Sequence, residues 1–346
     1  VMQSSGGIAD LETVQRFPVK IIESGPTAGV LGAVFFGRMA GLDNLISFDM
    51  GGTTAKICLI EDGQPGTTGE FEVDRVQLKA GSGLPVHVPA VDLIEIGAGG
   101  GSLARLKSGL IAVGPESAGA DPGPICYGLG GAEPTITDAD LALGYLNPDY
   151  FLGGKMKLDL GAAIQGIEEQ IARPLGLSAT QAAWGIHEIV TTHMARATRI
   201  VSVERGKDPR LFTLVAFGGA GPVHAARLAK SIGIPRVLCP VGAGVASATG
   251  LLVADVRFDF ARTFIAALDE KVLQPMRELF REMEAQGRAM VQGSGIKGDV
   301  LINRWADMRY VGQGHEVLTP LPPLHFNQQD LPGLRRAFHQ AYAAQY

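Results

Sequence analysis

Asp49, Gly51, Gly52, Thr53 and Thr54 are the residues of this chain best suited to chemistry. They lie in Leu45–Ile60, LISFDMGGTTAKICLI, where an apolar strand runs into the aspartate, turns through glycines and threonines, and leaves as a second apolar strand. Glycine has no Cβ, so such a turn can tighten and bring backbone N–H groups against an anion. Threonine hydroxyls can donate to phosphate oxygens. Asp49 would repel a phosphate, so its natural partner is a hydrated Mg²⁺ held through water. The pattern predicts a phosphate-holding hairpin: Asp49 is the catalytic and metal-side residue, and Gly51, Gly52, Thr53 and Thr54 hold the β- and γ-phosphates. A purely structural hairpin turn is the alternative, and a second turn downstream argues against it. There, strand Leu211–Phe217 meets Gly218, Gly219 and Gly221 before a helix at Val223–Ser231. A helix N-terminus of this kind suits a nucleoside or phosphate, and Pro222 is compatible with a first helical turn.

Other residues carry weaker signals. Gly97–Ser102, in IGAGGGS, reads equally as a ligand loop and as a flexible connection. Asp92 and Glu95 would point to opposite faces of a strand, which argues against a metal pair. Cys126 lies in Val113–Gly131, a Gly- and Pro-rich stretch expected to be loop. With no local histidine as base, it reads as structural rather than nucleophilic. The helix expected at Thr180–Arg205 carries His187, His193, Arg196, Arg199 and Glu204, with His193, Arg196 and Arg199 on one side. A solvated face is the preferred reading there, and anion contact the alternative. His224 reads as a helix-surface histidine. Asp307 and Arg309 share a strand face and could pair.

These residues need a scaffold of alternating strands and helices. Expected elements are a strand at Val19–Ser24, a helix at Thr27–Ala40 ended by Gly41, the hairpin, and a strand at Phe71–Leu78. A short helix at Thr137–Leu146, capped by Thr137 or Asp138, follows, then helices over Asp159–Leu175, Ala243–Val253 and Lys271–Gln292. Strands are expected at Arg236–Leu238, Asp299–Gln313 and Glu316–Pro320, and a helix at the C-terminal end. The order argues an α/β class. Three segments are expected: 1–44, with a connecting strand and helix; 45–260, with both glycine turns and a glycine-rich insertion over about 80–160; and 261–346, with a peripheral helix and strands.

The 346 residues suffice for a sizeable core, and the 46% hydrophobic and 19% charged content is that of a globular protein. A net charge of -5 with no basic stripe argues against a nucleic-acid partner. No apolar run approaches the ~20 residues that span a bilayer. Three scattered cysteines give no metal pattern and suit a reducing compartment, so a cytoplasmic location is expected. The chain opens without Met and closes within an amphipathic helix, so a piece of a longer polypeptide is expected.

The blocks ESGPTAGVLGA, DMGGTTA, IGAGGGSLA, VGPESAGADPGPICYGLGG, EPTITDADLALGYL, VSVERGKDPRLFTLVAFGGAGPVHA and ADMRYVGQGHE resemble the ATP-dependent hydantoinase/oxoprolinase family across nearly the whole chain. The resemblance implies an actin-like ATPase fold, here incomplete and with an inserted loop-rich subdomain. It implies ATP and Mg²⁺ as cofactors. The implied activity is ATP-dependent opening of a cyclic amide, a hydantoin or a 5-oxoproline-like lactam, by phosphoryl activation, with a second B-type subunit or domain as partner. Ketone carboxylation, or nucleotide binding without chemistry of its own, are the alternatives. In such ATPases Leu45–Ile60 is similar to the second phosphate hairpin and Leu214–His224 to the adenosine-binding turn. A first phosphate hairpin is expected outside this sequence, which contains one Asp-x-Gly-Gly-Thr motif.

Overall fold

Leu45, Ile46, Phe48 and Met50 are shielded from solvent and lie at the centre of a mixed sheet. The computed structural model describes residues 1–73, 81–295, 298–323 and 325–345. Within them the chain forms two compact units, Val1–Asp255 and Val256–Tyr346.

In the first unit, helix α1 (Ser24–Met39) precedes strands β1 (Leu45–Met50) and β2 (Ala55–Glu61), which form the expected antiparallel hairpin. Strand β3 (Leu93–Ile96) extends the sheet along the first half of β2. A hairpin of β4 (Ser102–Lys107) and β5 (Leu110–Ser117) follows, then helices α2 (Ile136–Ala142) and α3 (Ala179–Val201). Strand β6 (Thr213–Phe217) lies parallel to β1, helix α4 (Gly221–Ile232) returns, β7 (Arg236–Leu238) pairs parallel with β6, and helix α5 (Ala246–Val253) closes the set.

Side chains alternate across a strand, so the sheet feeds two cores. Ile46, Phe48, Met50, Ile57, Leu214 and Ala216 pack with the apolar face of α3, including Ile186, Val190 and Met194. Leu45, Cys58, Ile60, Val215 and Phe217 pack on the other side with Val30, Ala33 and Val34 of α1. Helices on both faces of a mixed sheet give the α/β class read from the sequence.

Several expectations meet a different local physics. The segment Val19–Ser24 is not a strand: Pro18–Ile21 is a 3₁₀ turn and α1 begins at Ser24. Proline preorganises the first turn of a helix, Val19 and Ile22 stay exposed, and the Glu23 N–H is taken by Ser4 Oγ at 3.0 Å. The first part of the expected Val113–Gly131 loop belongs to β5, where Val113 is buried in the main core. Helix α2 is capped by Thr135 in a reciprocal capping box with Asp138, not by Thr137 or Asp138. Of the strand expected at Phe71–Leu78, Phe71–Val73 is formed, and the rest lies outside the described residues.

The second unit pairs strand Arg304–Met308 antiparallel with Val317–Leu321 and carries helices Leu273–Gly293 and Leu331–Gln345. Leu273, Leu321, Phe326 and Leu334 form its core. Asp307 and Arg309 do not pair: the Arg309 guanidinium lies 3.1 Å from Glu316.

Helices α1 and α5 approach closely enough to exclude side chains between them. A Cβ at Gly250 would lie 1.7 Å from the Ala28 carbonyl oxygen, and one at Gly32 would lie 2.7 Å from that of Ala246. Gly250→Ala is expected to cost about 1–3 kcal/mol in urea unfolding, because backbone cannot move aside as a side chain can. Gly244→Ala, whose added methyl meets nothing within 4 Å, is expected to stay within about 0.5 kcal/mol. Equal midpoints for the two variants would contradict this packing.

Candidate functional site

Parallel pairing of β1 with β6 sets Asp49 opposite Phe217. Both strands therefore end together, and their glycine turns emerge side by side. Gly218 has φ +82°, and a Cβ there would fall 2.4 Å from both an Asp49 carboxylate oxygen and the Met50 carbonyl. The Ala220 N–H donates to Met50 O at 2.9 Å, and the Gly218 N–H to Ala243 O at 2.9 Å. The two turns thus leave side by side at one end of the sheet rather than facing each other across it. Gly221 is buried where α4 packs onto β1, and a Cβ there would lie 3.5 Å from both Phe48 O and Met50 N.

The hairpin turn is closed by the Gly51 N–H donating to Thr54 O at 3.1 Å. That bond occupies one of the two amides expected to meet phosphate. The Gly52 and Thr53 amides donate to no acceptor among the described residues, and neither does that of Gly219. Gly52, Thr53 and Gly219 are exposed, and added Cβ atoms at Gly51, Gly52 and Gly219 would meet nothing within 4 Å. Thr54 turns inward and accepts a hydrogen bond from Lys56.

The segment Gly97–Ser102 is neither a flexible connection nor an open loop. Its Gly100 and Gly101 N–H groups donate to the Gly51 and Gly52 carbonyls at 3.0 and 2.7 Å. A Cβ on Gly99 would lie 2.4 Å from the Thr53 nitrogen. Backbone therefore packs directly on backbone, and the hairpin's carbonyls are consumed on its inner side. Helix α2 holds this layer in turn: the Thr137 amide and hydroxyl both donate to Gly100 O at 2.8 Å. Asp138 fixes the loop that precedes α2 by accepting the Ile125, Cys126 and Thr135 N–H groups and the Thr135 hydroxyl at 2.8–3.2 Å.

Asp49 is half-buried, and its carboxylate accepts no hydrogen bond or ion pair from the described residues. Burial raises its pKa above the ordinary carboxyl value, and Lys56 partly offsets that. Glu23 is raised as well, by burial first and then by Glu95, with Lys56 opposing. Lys56 Nζ lies 3.0 Å from Glu95 Oε1. A carboxylate without a partner beside free amides fits a hydrated Mg²⁺ accompanying an anion. A carboxylate oxygen suits that ion, which takes oxygen ligands and keeps several of its own waters.

Sequence reasoning missed a second cluster. His224 is not on the surface; it is 0% exposed, and His187 is 1% exposed. Both face Asp140 of α2, itself 2% exposed. His187 Nδ1 lies 2.8 Å from Asp140 Oδ1, and His224 Nε2 lies 3.2 Å from Asp140 Oδ2. Burial acts to raise the Asp140 pKa, and the two imidazoles overcome it, leaving it below the ordinary value. By contrast Arg196 and Arg199 form the solvated face expected of them, and Glu204 is exposed. Asp92 pairs with Arg205 and Glu95 with Lys56, so neither serves a metal pair. Burial and the neighbouring Asp138 push the Cys126 thiol up, consistent with a structural cysteine.

Residues 1–260 match the family model described as hydantoinase/oxoprolinase. The chain is 39% identical to caprolactamase subunit alpha of Pseudomonas jessenii over 347 residues, covering 99% of this chain and 49% of that protein. It is 31% identical to the acetone carboxylase beta subunit of Xanthobacter autotrophicus over 360 residues, covering 100% and 48%. It is 32% identical to 5-oxoprolinase 1 of Arabidopsis thaliana over 333 residues, covering 90% and 25%. The crystal structure of the ATP-dependent caprolactamase superposes with a TM-score of 0.78 at 38% identity, covering all of this chain and 50% of that one. Nucleotide-free acetone carboxylase gives 0.78 at 30%, covering 100% and 49%. The chain thus spans about half the length of the caprolactamase and acetone carboxylase subunits it matches. Among the described residues no helix is long and apolar enough to cross a membrane.

A carboxyl whose pKa is raised by folding contributes most stability when protonated. That contribution is complete below the unfolded-state pKa and is lost as pH rises through the folded value. Asp49→Asn is therefore expected to raise the urea midpoint at pH 7.5, with the gain vanishing as pH falls toward about 4. A midpoint lowered at pH 7.5 would show that the carboxylate is held by partners and not merely buried.

Proposed function

The chain belongs to the hydantoinase/oxoprolinase family, and from that premise we propose that it carries the nucleotide site of an enzyme that uses ATP to open a cyclic amide. The fold we assign it is the actin-like ATPase fold, incomplete in this sequence. One observation carries the reading: the unpaired Gly52, Thr53 and Gly219 amides lie in the two turns that leave β1 and β6 at the end of the sheet where Asp49 keeps a partnerless carboxylate. The 39% identity to an enzyme named caprolactamase supports an amide, and its name as a subunit supports a B-type partner subunit or domain.

An unstrained amide resists water because its carbonyl carbon is weakly electrophilic and its nitrogen leaves poorly. In the proposed reaction the amide oxygen attacks the γ-phosphorus of ATP. The new O–P bond forms as the bond to the ADP oxygen breaks. Water then adds to the activated carbon, the ring C–N bond opens as nitrogen gains a proton, and the acyl phosphate left behind is cleaved by a second water to a carboxylate and free phosphate. Mg²⁺ would supply charge neutralisation on the transferring phosphoryl group.

This chain's residues do the positioning. The Gly52 and Thr53 amides and the Thr53 hydroxyl hold phosphate oxygens from one turn, and Gly218–Gly219 takes the nucleoside side from the other. Asp49 holds the metal through water, on the rigid end of β1. Gly97–Ser102 fixes the hairpin from beneath, so the donors need no rearrangement as charge develops. Lys56, paired with Glu95 and Thr54, keeps positive charge beside the carboxylate.

The test is ADP release by the complete protein with its partner subunit, offered caprolactam, hydantoin, 5-oxoproline, or acetone with bicarbonate. Lactam- or hydantoin-dependent release, lost at least about 10²-fold in Asp49→Asn, is the expected result. Turnover only with acetone and bicarbonate would assign the carboxylase reaction instead. Tight nucleotide binding with no substrate-stimulated release would leave a binding module. Unchanged turnover in Asp49→Asn would remove that residue from the mechanism.

A further inference from the structure

We propose that Asp140, His187 and His224 form a buried site for a divalent transition metal of the zinc class, which clamps α2, α3 and α4 together beneath the two glycine turns. The three side chains each offer one ligand atom, and these atoms lie within 4.8 Å of one another. Two imidazoles and one carboxylate are a donor set that selects Zn²⁺ and its neighbours over the hard, oxygen-seeking Mg²⁺. Around a tetrahedral Zn²⁺ with bonds of about 2.0–2.1 Å, donors stand about 3.3–3.5 Å apart. His187 Nδ1 stands 2.8 Å from Asp140 Oδ1 and His224 Nε2 stands 3.2 Å from Asp140 Oδ2, so each imidazole already lies against the carboxylate that would share the ion.

A second observation points to a ligand. His224 is wholly buried, yet neither of its ring nitrogens has a hydrogen-bond partner. Its Nε2 is within ion-pair reach of Asp140 Oδ2 but not in line for a hydrogen bond. A buried imidazole with an unsatisfied nitrogen costs free energy, and a bond to a metal would give His224 a partner that the misaligned Asp140 contact does not supply. The surroundings hold the rings in place. His187 stacks on His224 with centroids 4.5 Å apart and 22° between planes, and Trp184 stacks on His187 at 5.6 Å and 16°. Arg227, bonded to Glu188 at 2.6 and 2.7 Å, covers the Trp184 ring.

Position gives the metal its role. Asp140 lies about one turn along α2 from Thr137, which holds the Gly100 carbonyl beneath the phosphate hairpin. His224 lies in the first turns of α4, just after Gly218–Gly221. A bond from each to one ion ties the supports of both turns together. The ligand groups are too buried for a substrate to reach them, so the ion is structural and enters as the chain folds.

The test uses untagged chain purified from zinc-supplemented cells, read by elemental analysis and by X-ray absorption at the zinc edge. Expected are one zinc per chain, with two imidazole nitrogens and one carboxylate oxygen among its nearest neighbours, and a fall below a tenth of an equivalent in His224→Ala and Asp140→Ala. Chelation during unfolding and refolding should lower the melting temperature, and zinc should restore it. Should either variant fail to fold, wild-type chain refolded with Co²⁺ supplies the decision: the visible bands of four-coordinate cobalt support the site. Chain that is metal-free, shows no such bands and melts identically with zinc or chelator overturns it, as does zinc retained in full by the folded variants. These readouts require no nucleotide or amide, so they stand or fall apart from the proposed reaction.

Discussion

The parallel register between Leu45–Met50 and Thr213–Phe217 is the constraint from which the site follows. With Asp49 opposite Phe217, the two strands stop at the same level, and the turn that follows each must leave at the same end of the sheet. Gly218 then lies against the Asp49 carboxylate with no room for a Cβ. A one-residue slip would turn Asp49 into the opposite face and bury its neighbours wrongly, so the apolar residues Phe48, Met50, Leu214 and Ala216 enforce the register that the polar edge uses. Packing energy in the core thereby sets the geometry of groups at the rim.

Around that edge the structure repeatedly places backbone against backbone. The Gly99–Gly101 run lies on Gly51–Thr53, and Gly218 lies on Met50. Such layers leave no rotamers to adjust, so the amides of Gly52, Thr53 and Gly219 are held by the main chain alone. That is what electrostatic preorganisation requires. It comes with a half-buried, partnerless Asp49, whose ionised form the folded chain does not favour. A site that is locally destabilising and functionally poised is the usual relation between activity and stability.

The hairpin, both glycine turns and the strands flanking them were legible because their signals are local: apolar alternation interrupted by glycine. Glycine in the Gly97–Ser102 run announced a close approach without saying to what, since the partner lies in a turn some fifty residues away. Val19–Ser24 misled because an apolar run with no pairing partner becomes a turn once Pro18 preceded it. The Asp140, His187 and His224 cluster could not be read from spacing, because its members come from three separate helices. A signal was nevertheless present. His187 shares the apolar face of its helix with Ala183, Ile186, Val190 and Met194, and His224 lies on the face of Ala225 and Leu228. A histidine in such a row needs a polar partner from elsewhere in the fold.

The most direct measurement is a structure of the complete protein with Mg²⁺ and a non-hydrolysable ATP analogue. The phosphates should lie within hydrogen-bond distance of the Gly52 and Thr53 amides, with a hydrated cation at Asp49 and the nucleoside against Gly218–Gly219. A nucleotide bound elsewhere, with those amides facing solvent and Asp49 without a cation, would contradict the account.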